Sequence, residues 1–379
     1  MSATVLIANP GADLYGSDRM ALESARAFVD AGFRVVVTVT RPGPLIAQLT
    51  DAGATVIELP VPVVRRGLLS PRGLLTLARQ TVTSWGPMWR LVRRYSPEVI
   101  VVNTVTAPLW FAVGRLAGCR VVCHVHEAEA MTSRVLQAAL YLPLLACTSV
   151  IANSAVTLEV LRAASPAVAR RATIVRNAVV GPSVEARARS GPAPPVPRVL
   201  FVGRLSHRKG PHVVLEAARI LRERGREVSV DLVGSVFPGN EGYESSLRDQ
   251  VRDSGLSERV SFHGFQADIW GFLERADLVV VPSVLDESFG NTAVEAALGA
   301  RPLIVSKIPG LMEATESVTS RVVVPPGDAG AVADGVERVL DGWEDYAPMA
   351  AVDASRVARL FSRARYGRDL VAAVGLDGA

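Results

Sequence analysis

Two glutamates eight positions apart stand in the phrase Pro282-Ser-Val-Leu-Asp-Glu-Ser-Phe-Gly-Asn-Thr-Ala-Val-Glu-Ala-Ala-Leu-Gly-Ala-Arg-Pro302. An apolar run ends at Ser283, Glu287 falls in the loop behind it, and a helix opens near Asn291. Gly290, just ahead of that helix, lets backbone approach a ligand closely. The unpaired N–H groups of a helix start form an anion site suited to phosphate. Glu295 lies in the second turn of the helix, where it can accept from ribose hydroxyls, and Glu287 can meet the hydroxyls of a transferred sugar. Upstream, Val202-Gly-Arg-Leu-Ser-His-Arg-Lys-Gly210 places Arg204 and Lys209 directly behind another apolar run. Lysine is scarce: of 41 Lys+Arg, only Lys209 and Lys307 are lysines.

The first half holds two more clusters. Asn9-Pro-Gly-Ala-Asp-Leu-Tyr-Gly-Ser-Asp-Arg19 follows an apolar run and opens a helix. Its glycines suit a tight turn near phosphate, but their spacing is not the G-x-G-x-x-G dinucleotide fingerprint. His124-Val-His126-Glu127-Ala-Glu129 ends a strand. Strand alternation puts His124 and His126 on one face and Glu127 on the other, so this is no obvious closed metal site. No Asp-x-Asp motif occurs, which agrees with metal-free chemistry.

These loops need elements to hold them. Thr4–Pro10, Arg34–Thr40, Thr55–Pro60, Val99–Asn103, Arg120–Glu127 and Ser149–Ser154 read as buried strands with helical stretches mostly between them. The stretch 182–197 carries five prolines and no apolar period, which marks a linker. Alternation then restarts with Arg198–Gly203, Val228–Gly234, Arg259–Gly264, Asp277–Pro282, Pro302–Ser306 and Arg321–Pro325. The expected class is α/β, two tandem Rossmann-like domains facing a central cleft, because ligands of open parallel sheets bind beyond the carboxyl ends of the strands. The expected boundaries are 1–182 for the first domain, 183–197 for the linker, 198–356 for the second domain, and 357–379 for a C-terminal helix returning to the first.

The totals bound the class. At 379 residues, 49% hydrophobic and 21% charged, the chain can bury two ordinary cores. Three cysteines without a CxxC pair, no basic leader and no long apolar span predict a cytoplasmic protein. The net charge of +4 is uneven: residues 1–190 carry 20 Arg against 11 Asp+Glu, and the rest carries 21 Lys+Arg against 26 Asp+Glu. Between Glu58 and Glu98 stand arginines 65, 66, 72, 79, 90, 93 and 94 and no acid, interleaved with Leu, Trp and Met. Such a segment predicts peripheral contact with an anionic membrane face, and no groove-reading element points to nucleic acid.

The Glu287-x7-Glu295 phrase resembles the signature of retaining glycosyltransferases of family 4, which have the GT-B fold. Pro302–Lys307, Pro309-Gly-Leu-Met-Glu313 and Pro325-Pro-Gly-Asp328 are similar to that family's continuation, and Val202–Gly210 extends the likeness backwards. The resemblance implies that Arg204 and Lys209 grip a nucleotide diphosphate. It implies donor contacts from Phe265 near the base, from Glu287, Phe289, Gly290, Asn291 and Glu295, and from Gly16, or Gly11, in the first loop. His126 matches the family's sugar-facing histidine, and Asp13, Tyr15, Asn103 and Glu127 fall on the acceptor side. The implied activity is retaining transfer from a nucleotide-diphosphate sugar to a sugar or lipid-linked hydroxyl, in cell-surface polysaccharide or glycolipid synthesis, with neither cofactor nor metal. The rival readings are a nucleotide-sugar-binding protein without turnover, or an epimerase or phosphorylase on the same fold.

Overall fold

The structure, a computed structural model, describes residues 3–64, 71–126, 140–183 and 186–376. The chain divides into two compact units, Met1–Ala178 with Ser362–Ala379, and Val179–Phe361. The stretch expected as a linker groups with the second unit. Side chains of that unit hold it: Arg301 donates to the Arg187 carbonyl at 2.8 Å, Arg189 pairs with Asp277 at 2.8 Å, and Trp343 Nε1 donates to the Gly191 carbonyl at 3.0 Å.

In the first unit, strands β1 (Thr4–Ala8), β2 (Arg34–Val39), β3 (Thr55–Glu58), β4 (Val99–Val102), β5 (Arg120–Val125), β6 (Ser149–Ala152) and β7 (Ala172–Ile174) form one parallel sheet in the order β3-β2-β1-β4-β5-β6-β7. Val5 and Ile7 of β1 enter one core layer, while Leu6 and Ala8 enter the other. A sheet covered on both faces demands such continuous apolar strands. Strand β7 was not anticipated; three residues carry too little pattern to be read. The helix expected over Val357–Val374 is two helices, Trp343–Leu360 in the second unit and Arg363–Ala373 in the first. The break falls at Phe361, buried against Phe289, and at Ser362, whose hydroxyl caps the next helix by accepting from Arg365 N–H at 3.3 Å. Arg363–Ala373 lies on helix Gly16–Asp30, with Tyr366 Oη 2.6 Å from Ser24 Oγ and Arg363 paired with Glu23 at 2.6 Å.

In the second unit, β8 (Arg198–Val202), β9 (Ser229–Val233), β10 (Val260–Phe262), β11 (Leu278–Val281), β12 (Leu303–Ser306) and β13 (Arg321–Val324) form a parallel sheet in the order β10-β9-β8-β11-β12-β13. Phe201, Leu215, Leu232, Leu278 and Val336 fill one side of it, each buried. Truncating one of these leucines to alanine costs about 2–5 kcal/mol. Strand order reverses at β1/β4 in one sheet and at β8/β11 in the other. Ligands of open α/β sheets favour these reversal points, because the flanking loops part there.

Candidate active site

The carboxyl ends of β8 and β11 bring Lys209 and Glu287 together. Lys209 closes a short 3-10 turn, His207–Lys209, after β8. Glu287 lies in the loop after β11. The two loops are tied by Val284 N–H donating to the Arg208 carbonyl at 2.8 Å. Lys209 Nζ sits 2.6 Å from Glu287 Oε1, Arg208 Nη1 3.3 Å from Oε2, and Ser283 Oγ donates to Oε1 at 2.8 Å. Arg208 Nη1 also donates to the Asp286 carbonyl at 2.7 Å.

Glu287 is 6% exposed. Burial acts to raise its pKa, but the Lys209 and Arg208 charges and the Lys209 and Ser283 hydrogen bonds outweigh it, so the carboxyl lies below its ordinary value. The three charges sum to +1, and Arg204 adds another cation at the end of β8. The Arg204 guanidinium lies over the Phe237 ring, 3.3 Å from its centroid.

Helix Asn291–Leu298 starts at Gly290, whose φ of +114° favours glycine. Gly310 lies against the same loop, and a Cβ there would stand 2.1 Å from the Glu287 carbonyl oxygen. Glu295 is buried in that helix at 8% exposure. Phe265 follows β10 and is exposed. Phe289 departs from expectation: it is 1% exposed and packs edge-on against Phe361, 5.5 Å between centroids. Its side chain therefore anchors the loop from the core, and a donor contact at Phe289 would fall to its main chain.

In the first unit, the ends of β1, β4 and β5 carry a connected set of polar side chains. Asn9 Nδ2 donates to the Gly11 carbonyl and to Asp18 Oδ1, each at 2.9 Å. Asn103 Nδ2 donates to Asn9 Oδ1 and to the Ser17 carbonyl, each at 2.8 Å. His126 Nε2 lies 2.8 Å from Asn103 Oδ1. His124, directly under it in β5, is completely buried with its ring centroid 4.1 Å away. Burial pushes the His126 imidazole down to about 3 and raises Asp18 to about 6. For Asp18 the Asn9 hydrogen bond opposes the burial.

Asp13 pairs with Arg41, Tyr15 stands at the N-cap position of helix Gly16–Asp30 without a side-chain capping bond, and Gly16 is exposed. Glu127 lies outside the described residues. Sequence reasoning missed Arg208, Asn9 and Asp18 as site residues. Each stood beside a chosen residue in a quoted phrase, and a one-residue signal gave no means of ranking it.

Residues 184–351 match the family of glycosyl transferases group 1, and residues 15–180 match Glycosyltransferase Family 4. The chain belongs to the group 1 glycosyltransferases. It is 33% identical over 176 residues to the alpha-D-kanosaminyltransferase of Streptomyces kanamyceticus, covering 46% of this chain and 44% of that one. Over 183 residues it is 35% identical to the D-inositol 3-phosphate glycosyltransferase of Salinispora tropica, covering 47% of this chain and 38% of the relative. The match thus spans less than half the length of these curated relatives. The structure of Anabaena HepE in complex with UDP-glucose superposes with a TM-score of 0.83 at 21% identity, over 98% of this chain and 99% of that one. That likeness establishes the two-domain GT-B fold. No helix among the described residues is long and apolar enough to cross a membrane.

Proposed function

We propose that this protein moves a sugar from a nucleotide-diphosphate sugar to a hydroxyl acceptor, with retention and without a metal. The observation that carries the reading is the buried Glu287 carboxyl paired with Lys209 and Arg208 at the strand-order reversal of the second sheet. Breaking the glycosidic bond builds charge on the departing diphosphate. Arg204, Lys209 and the leading amides of helix Asn291–Leu298 are cations and dipoles already in place for that charge, so they stabilise the transition state more than the ground state. Lys209 is held by Glu287 before any donor arrives, which removes the entropic cost of ordering a long side chain at that moment. In this reading Glu287, while paired with Lys209 and Arg208, accepts from sugar hydroxyls, and Glu295 accepts from the ribose. The relatives and the HepE complex support a nucleotide-sugar donor, UDP-glucose being the first to try. A thermal-shift panel of nucleotide sugars, followed by a transfer assay with and without EDTA, tests the reading. A donor that raises the melting temperature and turnover that survives EDTA are expected; no shift with any donor, or turnover only with manganese or magnesium, refutes it.

We infer further that the acceptor is presented at an anionic membrane face, in glycolipid or polysaccharide synthesis. Helix Pro71–Tyr95 supports this. Arg72, Leu75, Arg79, Val82, Gly86, Arg90 and Arg93 recur at spacings of three and four, and all are exposed, Leu75 at 73% and Val82 at 78%. Arg65 and Arg66 lie outside the described residues. Flotation with anionic liposomes should be salt-sensitive and lost on reversing the charges of Arg90, Arg93 and Arg94. Flotation that ignores both changes rules the surface out.

A further inference from the structure

We propose that Phe237 is a positioning residue that holds the Arg204 guanidinium in place for a diphosphate without drawing on its charge. Arg204 follows β8, and its guanidinium carbon stands 3.3 Å from the Phe237 ring centroid. The main chains under the two side chains are locked in register. Gly203 N–H donates to the Val233 carbonyl at 2.9 Å and Leu205 N–H to the Ser235 carbonyl at 3.0 Å, so Arg204 is bracketed by bonds to the chain leaving β9. Val236 packs against the core of the second unit. Phe237 then opens the turn Phe237-Pro-Gly-Asn240, closed by Asn240 N–H donating to the Phe237 carbonyl at 3.0 Å. Pro238 presets the first central position, and Gly239, at φ +90°, supplies the second, as a type II turn requires. The ring is 39% exposed, so its place follows from this turn more than from burial.

The kind of partner decides what a cation can still do. A carboxylate holds a guanidinium by its N–H edge and cancels its charge. An aromatic ring holds it by its face, through the negative charge of the π cloud, and such a contact takes up none of the five N–H donors. Lys209 shows the other arrangement, held by the buried Glu287 carboxylate. Glu287 offsets the Lys209 charge, whereas the Phe237 ring leaves the Arg204 charge whole. A departing diphosphate gains most from a whole charge already in place, since no long side chain has to be ordered at that moment. Phe237 touches no reacting atom in this scheme and acts through Arg204.

The stacking is a feature of the structure; its use on a diphosphate rests on the reading of Arg204 as a donor-binding residue. Calorimetry with UDP, GDP and ADP tests both. Phe237→Leu should weaken binding of whichever nucleotide the wild type binds best by about tenfold, the worth of one cation–π contact. In an Arg204→Ala background the same change should cost nothing further. Mono-, di- and trifluorophenylalanine at position 237 keep the ring's shape and drain its face in steps, so affinity should fall in steps along the series. An affinity that is flat or rising along that series overturns the proposal, and so does an equal loss from Phe237→Leu with and without Arg204. Wild-type protein that binds none of the three nucleotides would instead overturn the reading of Arg204, and the role of Phe237 with it.

Discussion

Replacing Asp18 with asparagine should stabilise the first unit at neutral pH and lose that advantage in acid. Asp18 is 5% exposed, and burial raises its carboxyl from 3.8 to about 6. A shift of about 2 pKa units corresponds to about 3 kcal/mol against the ionised form. The folded carboxyl holds its proton to higher pH than the unfolded one. Between pH 4 and 6 the folded state thus binds more protons, so stability falls as pH rises through that window and then levels off. Asparagine keeps an oxygen to accept from Asn9 Nδ2 but replaces the other oxygen with NH2, against the backbone hydrogen bond made with Tyr15. That mismatch costs about 1–2 kcal/mol. The net gain is about 1–2 kcal/mol at pH 7.5 and nothing, or a small loss, at pH 4. Two units need not unfold in one step, so the measurement should be amide exchange in β1 and helix Gly16–Asp30, which reads local opening. The reasoning fails if D18N is the less stable protein at pH 7.5, or if the difference between the two proteins does not change with pH.

Other outcomes can be checked beside it. Lys209→Ala should leave the second unit folded but less stable by about 3 kcal/mol, since among the described residues it leaves the buried Glu287 paired with Arg208 alone. It should also reduce turnover roughly 10²–10³-fold; urea unfolding and a transfer assay read the two effects. Adding Glu287→Gln to that variant should recover part of the stability and none of the turnover, so simple additivity of the two changes would argue against the pair. Gly310→Ala drives a methyl into the Glu287 carbonyl and should cost about 1–3 kcal/mol, with weaker donor binding by calorimetry. The depressed Glu287 pKa gives stability that is complete above its ordinary value of 4.5 and lost as pH falls through the folded value. Donor affinity should therefore hold from pH 8 down to pH 4.5 and be lost only below it, as the folded carboxyl takes up its proton, in titrations run at fixed ionic strength.

Much of the fold could be read in advance because its strands are buried on both faces. Val99–Val102 and Leu278–Val281 are runs of Val, Ile and Leu alone, a signal that survives without an alignment. Strand β7 and the break at Phe361–Ser362 carried no such signal. The first is three residues long, and the second depends on Phe361 finding Phe289 across the fold. The stretch 183–197 reads as a linker from its prolines, yet Arg301 and Trp343 hold it by main-chain carbonyls. Carbonyls are the same in every residue, so no side-chain pattern announces that contact.

The sequence by itself determined that the chain alternates strand and helix twice over, that the Glu287–Glu295 phrase opens a helix behind a strand, and that Arg204 and Lys209 stand at a strand's end. These follow from local order, since adjacent residues in a strand–loop–helix cannot avoid one another. Only the tertiary structure decided which loops meet. Strand order places β8 beside β11 and β1 beside β4, so Lys209 reaches a glutamate 78 positions away and Asn103 an asparagine 94 positions away. Chemistry between such partners depends on hydrogen-bond direction and burial, which exist only once the sheet has brought them together.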